Sequence, residues 1–150
     1  MKKSSLFALL FALYGTSAFP QIAKPLNECE AILGQPIKVH ATDPPARLYL
    51  HKGLHVQVTY ETGKAVAAIY RIPSPSGNLR ISSDTASTVF QLNGFSADDL
   101  VALDPKLPQA VSGLYKATKD GKIVILNDPA ENVIVLFDFD YLQRSENKLD

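Results

Sequence analysis

The histidines of this chain are the side chains best suited to metal or acid–base chemistry. His51 and His55 flank a break in two alternating apolar–polar runs, which predicts a hairpin. A three-residue loop would set the two imidazoles opposite each other on the polar face, with His40 or Asp43 as further zinc ligands. However, Gly53 argues against a helical His-x-x-x-His motif, and no Glu has the spacing of a zinc hydrolase. Histidines on a solvated face are the commoner case, so we predict no metal and no other cofactor.

Other catalytic arrangements are also weakly represented. Cys29 is the only cysteine, which excludes an intramolecular disulfide, and a free cysteine on a helix is most often a small buried hydrophobe. None of the loop serines lies in a Gly-x-Ser-x-Gly turn. Asp98 and Asp99 suit the start of a helix, while Asp138 and Asp140 alternate with aromatic residues along a strand. The sequence therefore favours a non-catalytic protein.

Contact with another macromolecule is the alternative to catalysis. The chain has no tryptophan, so tyrosines are its main aromatic contact candidates. We take four residues on and beside the predicted hairpin as candidate binding residues: Tyr49, His51, His55 and Tyr60.

The first half of the chain predicts one helix followed by strands. Leu26–Leu33 has apolar residues on one helical face, with Asn27 as cap and Gly34 as terminator. A loop is expected over 35–45. The hairpin then places Leu48, Leu50, Val56, Val58 and Tyr60 on its apolar face, opposite Tyr49, His51, His55, Gln57 and Thr59. Residues 65–72 are apolar on both faces, which is typical of a central strand.

The second half predicts a similar order of elements. Residues 73–87 are rich in Pro, Ser and Gly and predict a long loop, and 88–92 are β-prone. Ser96 and Asp99 indicate the start of a short helix. Strands are expected at 113–118 and 122–126 around a two-residue Asp120-Gly121 turn, then at 132–141, where 132–136 should be covered on both faces.

These elements predict an α+β fold in which an antiparallel sheet carries two short helices on one face. The order of elements also suggests two α-β-β-β units. We divide the chain into a signal peptide (1–18), a flexible, exposed leader (19–25), a single α+β domain (26–142) and a polar tail (143–150) that frays.

Part of the first unit resembles a known group of envelope domains. The relevant stretches are the sequence Cys29-Glu30-Ala31-Ile32-Leu33-Gly34-Gln35-Pro36, the strand Val56–Tyr60 and the turn at Gly63-Lys64. They are similar to the small domains of outer-membrane-assembly lipoproteins and β-lactamase-inhibitor proteins, although no lipidated cysteine is present here. This resemblance implies a non-catalytic module that binds other proteins, and it supplies no site residues.

The N-terminal residues predict export. Lys2 and Lys3 precede the apolar run Leu6–Tyr14, and small residues lead to Ala18, the pattern of a cleaved secretory signal peptide. No later stretch is long enough to anchor the protein in a membrane after cleavage. Near-neutral charge without basic clusters argues against nucleic-acid partners. We expect a periplasmic or extracellular module that binds another protein. The alternatives are an inhibitor of a secreted enzyme acting through the loop Ser74–Ser83 and, third, a metal-dependent enzyme using the histidines.

Overall fold

The computed structural model describes residues 21–73 and 80–147, which form one eight-stranded antiparallel sheet with three α-helices. The predicted α+β class is confirmed. The strand order is β1-β2-β3-β4-β8-β7-β6-β5, so two four-stranded meanders meet where β4 pairs with β8. The elements are α1 (Leu26–Leu33), β1 (Lys38–His40), β2 (Ala46–His51), β3 (Leu54–Glu61), β4 (Lys64–Arg71), α2 (Ser83–Leu92), β5 (Leu100–Ala102), β6 (Tyr115–Thr118), β7 (Ile123–Asp128), β8 (Val133–Asp138) and α3 (Phe139–Glu146).

Two-residue turns with left-handed backbone build the first meander. Lys52 and Gly53 join β2 to β3 with φ of 50° and 76°, and Thr62 and Gly63 join β3 to β4 with φ of 52° and 78°. Positive φ at both central residues is the geometry of a type I′ turn, whose twist matches that of the strands it connects. Gly34, with φ of 86°, ends α1 as expected.

The centre of the sheet agrees with the sequence prediction. β4 is the fourth strand in the order and is buried along most of its length, and residues 133–136 of β8 beside it are all buried. Both strands are largely buried, and helices lie on both sides of β8: α1 and α2 on one face, and α3 on the other. α1 and α2 pack on one face, with Cys29, Leu33, Val89 and Phe90 in a shared core.

The opposite face carries a third helix that the sequence did not predict. β8 ends at Asp138, and residues 139–146 form α3 rather than the end of a strand and a fraying tail. Leu142 of α3 packs with Val124, Leu103 and Ala117 in a second core cluster. Arg144 also forms an ion pair with Glu61 of β3, which holds α3 against the sheet.

Other boundaries differ from the sequence predictions. The β-prone stretch 88–92 belongs to α2, because Ser82 caps a helix there by accepting a hydrogen bond from the backbone of Thr85. The expected helix after Ser96 is a single 3-10 turn at Ala97–Asp99, although the predicted Ser96–Asp99 capping box is present. The turn around Gly121 spans four residues instead of two. Asn27 does not cap α1, whose N-cap is Pro25.

The expected exposed leader is corrected where the structure describes it. Gln21 and Ile22 are buried, and Ala23 donates a 2.7 Å backbone hydrogen bond to Ala65. The segment packs beside the start of β4, where β8 does not extend. The predicted signal peptide and most of the predicted inhibitory loop (residues 74–79) lie outside the described residues. No helix in the described ranges is long and apolar enough to span a membrane.

Candidate functional site

The two candidate histidines lie on opposite faces of the sheet. The two-residue turn at Lys52 and Gly53 pairs His51 with Leu54 and His55 with Leu50, so the expected facing pair is wrong. Successive positions in a strand project to opposite faces, which separates the two imidazoles. Across residues 21–73 and 80–147, no three His, Cys, Asp or Glu side chains are grouped so that they could hold a metal ion.

The same change of register reverses the predicted faces of β2. Tyr49 and His51 share the core side with Val56, whereas Leu48 and Leu50 share the other side with His55. His51 is half-buried, hydrogen-bonds to the backbone of Leu33 and has a buried Nε2 without a partner in the described part of the chain. Burial, and secondarily the charge of Lys52, lowers its pKa below 6.5. His51 is therefore a neutral side chain that joins the end of α1 to β2.

The candidate tyrosines are core residues. Tyr49 and Tyr60 are 0% and 4% exposed, and their hydroxyls lie 2.9 Å apart in a buried hydrogen bond. Burial, followed by the bond to Tyr49, raises the pKa of Tyr60 far above its ordinary value. Tyr49 has no exposed surface and Tyr60 has almost none, so the two rings do not form the exposed contact surface that the sequence suggested.

Cys29 belongs to the same buried region. Its Sγ lies 3.7 Å from the carbonyl oxygen of Gln21 and 3.8 Å from that of Lys24. Burial is the main cause that raises the pKa of this thiol, and the thiol form is a poor nucleophile. The arrangement fits a packing role.

The acidic residues singled out by their spacing stabilise local structure. The pKa of Asp99 is lowered by hydrogen bonds from the backbone and side chain of Ser96. Asp138 caps α3 by accepting a 2.9 Å bond from the backbone of Tyr141. Asp120 accepts bonds from Thr118 and Lys122 within its turn. Asp120 and Asp138 also line one cavity of about 490 Å³, together with Asp140 and Lys122.

The most exposed large hydrophobic residues of the described chain lie at one edge of the sheet. β1 is the first strand in the order, so among the described strands it has a hydrogen-bonded neighbour on one side only. Ile37, just before β1, and Val39 within it are 59% and 58% exposed. The backbone N–H of Ile37 donates to Leu48 at 2.8 Å, which fixes this segment to β2. We call residues 37–40 the β1 edge.

A groove of about 370 Å³ adjoins the β1 edge. Val39 forms part of its wall, together with apolar residues from α1 and from the segment before β2. Arg47 lines the groove as well, but an ion pair with Glu30 already neutralises its charge at 2.5 Å. The lining residues are Leu26, Val39, Asp43, Pro44, Pro45, Arg47, Tyr60, Glu61, Thr62 and Gly63.

Sequence reasoning missed the β1 edge because prolines surround it. Pro36, Pro44 and Pro45 favour a loop over 35–45. The alternation of apolar and polar residues at 37–40 is the signal that predicts a strand, although four residues are a short run for that pattern.

Comparisons with known proteins identify no family for this chain. No family model and no curated protein matches it. A solved structure of an extracellular protein containing an SCP domain from Bacillus anthracis aligns with 97% of this chain at 12% identity and a TM-score of 0.45. The alignment spans about half, 51%, of that protein's chain.

Proposed function

We propose that this protein is an exported, non-catalytic module that binds an extended segment of another protein along the β1 edge. The observation that carries the proposal is the pair of exposed apolar side chains, Ile37 just before β1 and Val39 within it, at a strand that has a paired neighbour on only one side within residues 21–73 and 80–147. Strand addition at a sheet edge supplies backbone hydrogen bonds, and alternate side chains of the added strand supply specificity.

The groove beside Val39 favours a partner peptide over a second copy of this chain. β1 offers only three residues for pairing to any added strand, so contacts beyond the strand must contribute to binding. An extended peptide that pairs with β1 can place one side chain in the adjoining groove. The groove combines apolar walls with Asp43, Arg47 and Glu61. Ion pairs with Glu30 and Arg144 already neutralise Arg47 and Glu61, so the groove suits a side chain with an apolar stem and a polar or basic end. Lys38 is exposed at the first position of β1 and suits an acidic residue at a neighbouring peptide position.

Export is supported by the N-terminal sequence. The basic pair Lys2 and Lys3, the apolar run and Ala18 form the pattern of a cleaved signal peptide. We therefore expect the native protein to begin at Phe19, which intact-mass measurement of protein from its natural source checks. A native chain that retains Met1 would contradict export by this route.

Hydrogen exchange tests the proposed binding site at the residues concerned. The purified protein is mixed with the pool of exported proteins from its natural source, and amide exchange is followed by mass spectrometry. We expect slower exchange at residues 37–40 and no change at β5, the opposite edge of the sheet. Replacing Ile37 by Ser together with Val39 by Thr should abolish the protection, because it removes the apolar contacts while threonine keeps the strand.

The matched control is Val101→Thr in β5, where the native side chain is 39% exposed. This variant should retain the protection at residues 37–40. Unchanged exchange at the β1 edge would contradict the proposal, as would equal protection of both edges. Protection that arises in the pure protein on raising its concentration would indicate a second copy as the partner and would also contradict it.

A further inference from the structure

The two meanders of the sheet correspond residue by residue across its centre. Ala68 of β4 pairs with Leu136 of β8. Strands that lie equally far from this central pair, one in each meander, place their paired residues at matching positions in the same row. On the face covered by α1 and α2, the paired row is Val39, Arg47, Val58, Ala68, Leu136, Ile125, Lys116 and Ala102.

Arg47 and Lys116 therefore occupy matching positions, but only one of them has an anionic partner. Glu30 of α1 forms an ion pair with Arg47. Lys116 has no ion pair within residues 21–73 and 80–147, as far as the structure describes them. Asp84, which is the only acidic residue of α2, lines a separate depression beside Lys52. Among the described residues, Lys116 in the second meander thus lacks the anionic partner that α1 supplies, through Glu30, to Arg47 in the first meander.

A cavity of about 430 Å³ lies beside Lys116, between α2 and the strands β5, β6 and β7. Its volume is within the range of small-molecule sites. Most of the walls are apolar, and Lys116 is the only charged residue among the described residues that line it. The lining residues are Ile81, Ser82, Ser83, Ala86, Phe90, Ala97, Leu100, Gly113, Leu114, Lys116, Ile125, Asn127 and Pro129. We call this space the α2 cavity.

We propose that the α2 cavity binds a small amphiphilic anion, such as a medium-chain carboxylate. The apolar body lies against Phe90, Leu100 and Ile125, and the carboxylate accepts a charge-assisted hydrogen bond from the ammonium group of Lys116. The ligand supplies the negative charge that Glu30 provides in the first meander. This site is separate from the β1 edge and does not depend on the proposed peptide binding.

Titration with decanoate and with 1-decanol tests the site, because the two probes share an apolar chain and differ in charge. Amide chemical shifts of the ¹⁵N-labelled protein report both the position of binding and the Kd. We expect decanoate to shift amides of α2, β6 and β7 and to bind roughly tenfold more tightly than 1-decanol. Lys116→Gln should abolish that difference, whereas Lys106→Gln, an exposed lysine outside the cavity, should preserve it.

A second variant tests the cavity independently of the charge. Ala97 is exposed and lines the cavity, so Ala97→Trp should fill the space and weaken both probes, while urea unfolding confirms that each variant folds. Equal affinity for the two probes, an unchanged Kd in Lys116→Gln, or shifts confined to other elements would overturn the proposal. Sedimentation with phosphatidylglycerol vesicles in the absence of decanoate binding would indicate a membrane surface as the ligand and would also overturn it.

Discussion

His51 shows how a side chain suited to chemistry can serve a structural purpose. It lies on the core side of β2 and hydrogen-bonds to the end of α1 at Leu33. Its pKa lies below the ordinary value because burial disfavours the imidazolium, and Lys52 adds to this effect. The native state therefore favours the neutral ring, and protonation must weaken the native state.

We expect the pH dependence of stability to reveal this residue. Below pH 6.5 the unfolded chain binds a proton at His51 that the native chain resists, so the free energy of unfolding falls as the pH drops from 6.5 through the lowered pKa. Urea melts between about pH 7 and 5 should show a smaller loss in His51→Gln than in the native protein. Asp99 and Asp120 do not interfere in this range, because their pKa values are lowered from 3.8.

His55→Gln is the matched control for this measurement, since it alters a histidine on the other face of the same hairpin. It shows whether the removal of any histidine from this hairpin changes the slope to the same extent as the removal of His51. An equal slope in the native protein and in His51→Gln would show that His51 does not titrate differently in the folded and unfolded states.

The roles of these individual residues could be predicted only in part. The burial of Cys29 follows from its place on the apolar face of a short helix. The faces of Tyr49 and His51 depend instead on whether the hairpin loop has two residues or three, since a change of one residue moves every side chain to the other face. The left-handed backbone at Lys52 makes the loop two residues long. A lysine in the sequence gives little indication that its backbone adopts this conformation.

At the scale of elements, the junction of β8 and α3 depends on one carboxylate. Asp138 is the last residue of the strand and also the N-cap of the helix, where it accepts the backbone N–H of Tyr141. Aromatic residues on both sides of it favour a strand by propensity, which is why the sequence predicted strand through residue 141. The cap and the packing of Leu142 over the second core cluster outweigh that propensity.

Replacing this cap should destabilise the fold measurably. We expect Asp138→Ala to lower the free energy of unfolding by about 1 kcal/mol, because a backbone donor of α3 loses its partner. Asp138→Asn can still accept the bond and should stay close to the native value. Urea melts compare the three proteins, and equal losses in both variants would assign the effect to the charge of Asp138 rather than to the cap.

The balance between local propensity on one side and capping and core packing on the other also explains which elements were predicted and which were missed. Residues 26–33 have a clear apolar face and a glycine stop, so α1 was predicted with its observed bounds. α2 contains Thr85, Thr88 and Val89, which lower helix propensity, and it forms because Ser82 caps it and Val89 and Phe90 enter the core. Contacts of this kind, between residues far apart in the chain, cannot be predicted from the local sequence pattern.

At the scale of the whole molecule, stability is concentrated at the centre of the sheet and recognition is proposed at its edge. β4 and β8 join the two meanders and are largely buried. Ile37 and Val39 bury little surface at the β1 edge, so they contribute little to the core. Apolar side chains that folding does not require are available to a partner.

This division of roles predicts a contrast between two truncations. Leu136→Ala, at a fully buried position, should cost about 2–5 kcal/mol of unfolding free energy, because it leaves a cavity between the sheet and its helices. Ile37→Ala should change stability by less than about 0.5 kcal/mol. Denaturant midpoints measured side by side decide this, and a comparable loss in both would mean that Ile37 is part of the folding core.

The proposal that the β1 edge binds another exported protein is tested most directly by photo-crosslinking in the natural source. A benzophenone amino acid is placed at position 39 in one variant and at position 101, on the opposite edge, in the other. We predict that position 39 captures an extended segment of a different exported protein and that position 101 does not. Identical adducts from both positions, or adducts from position 39 that contain only this chain, would contradict the account.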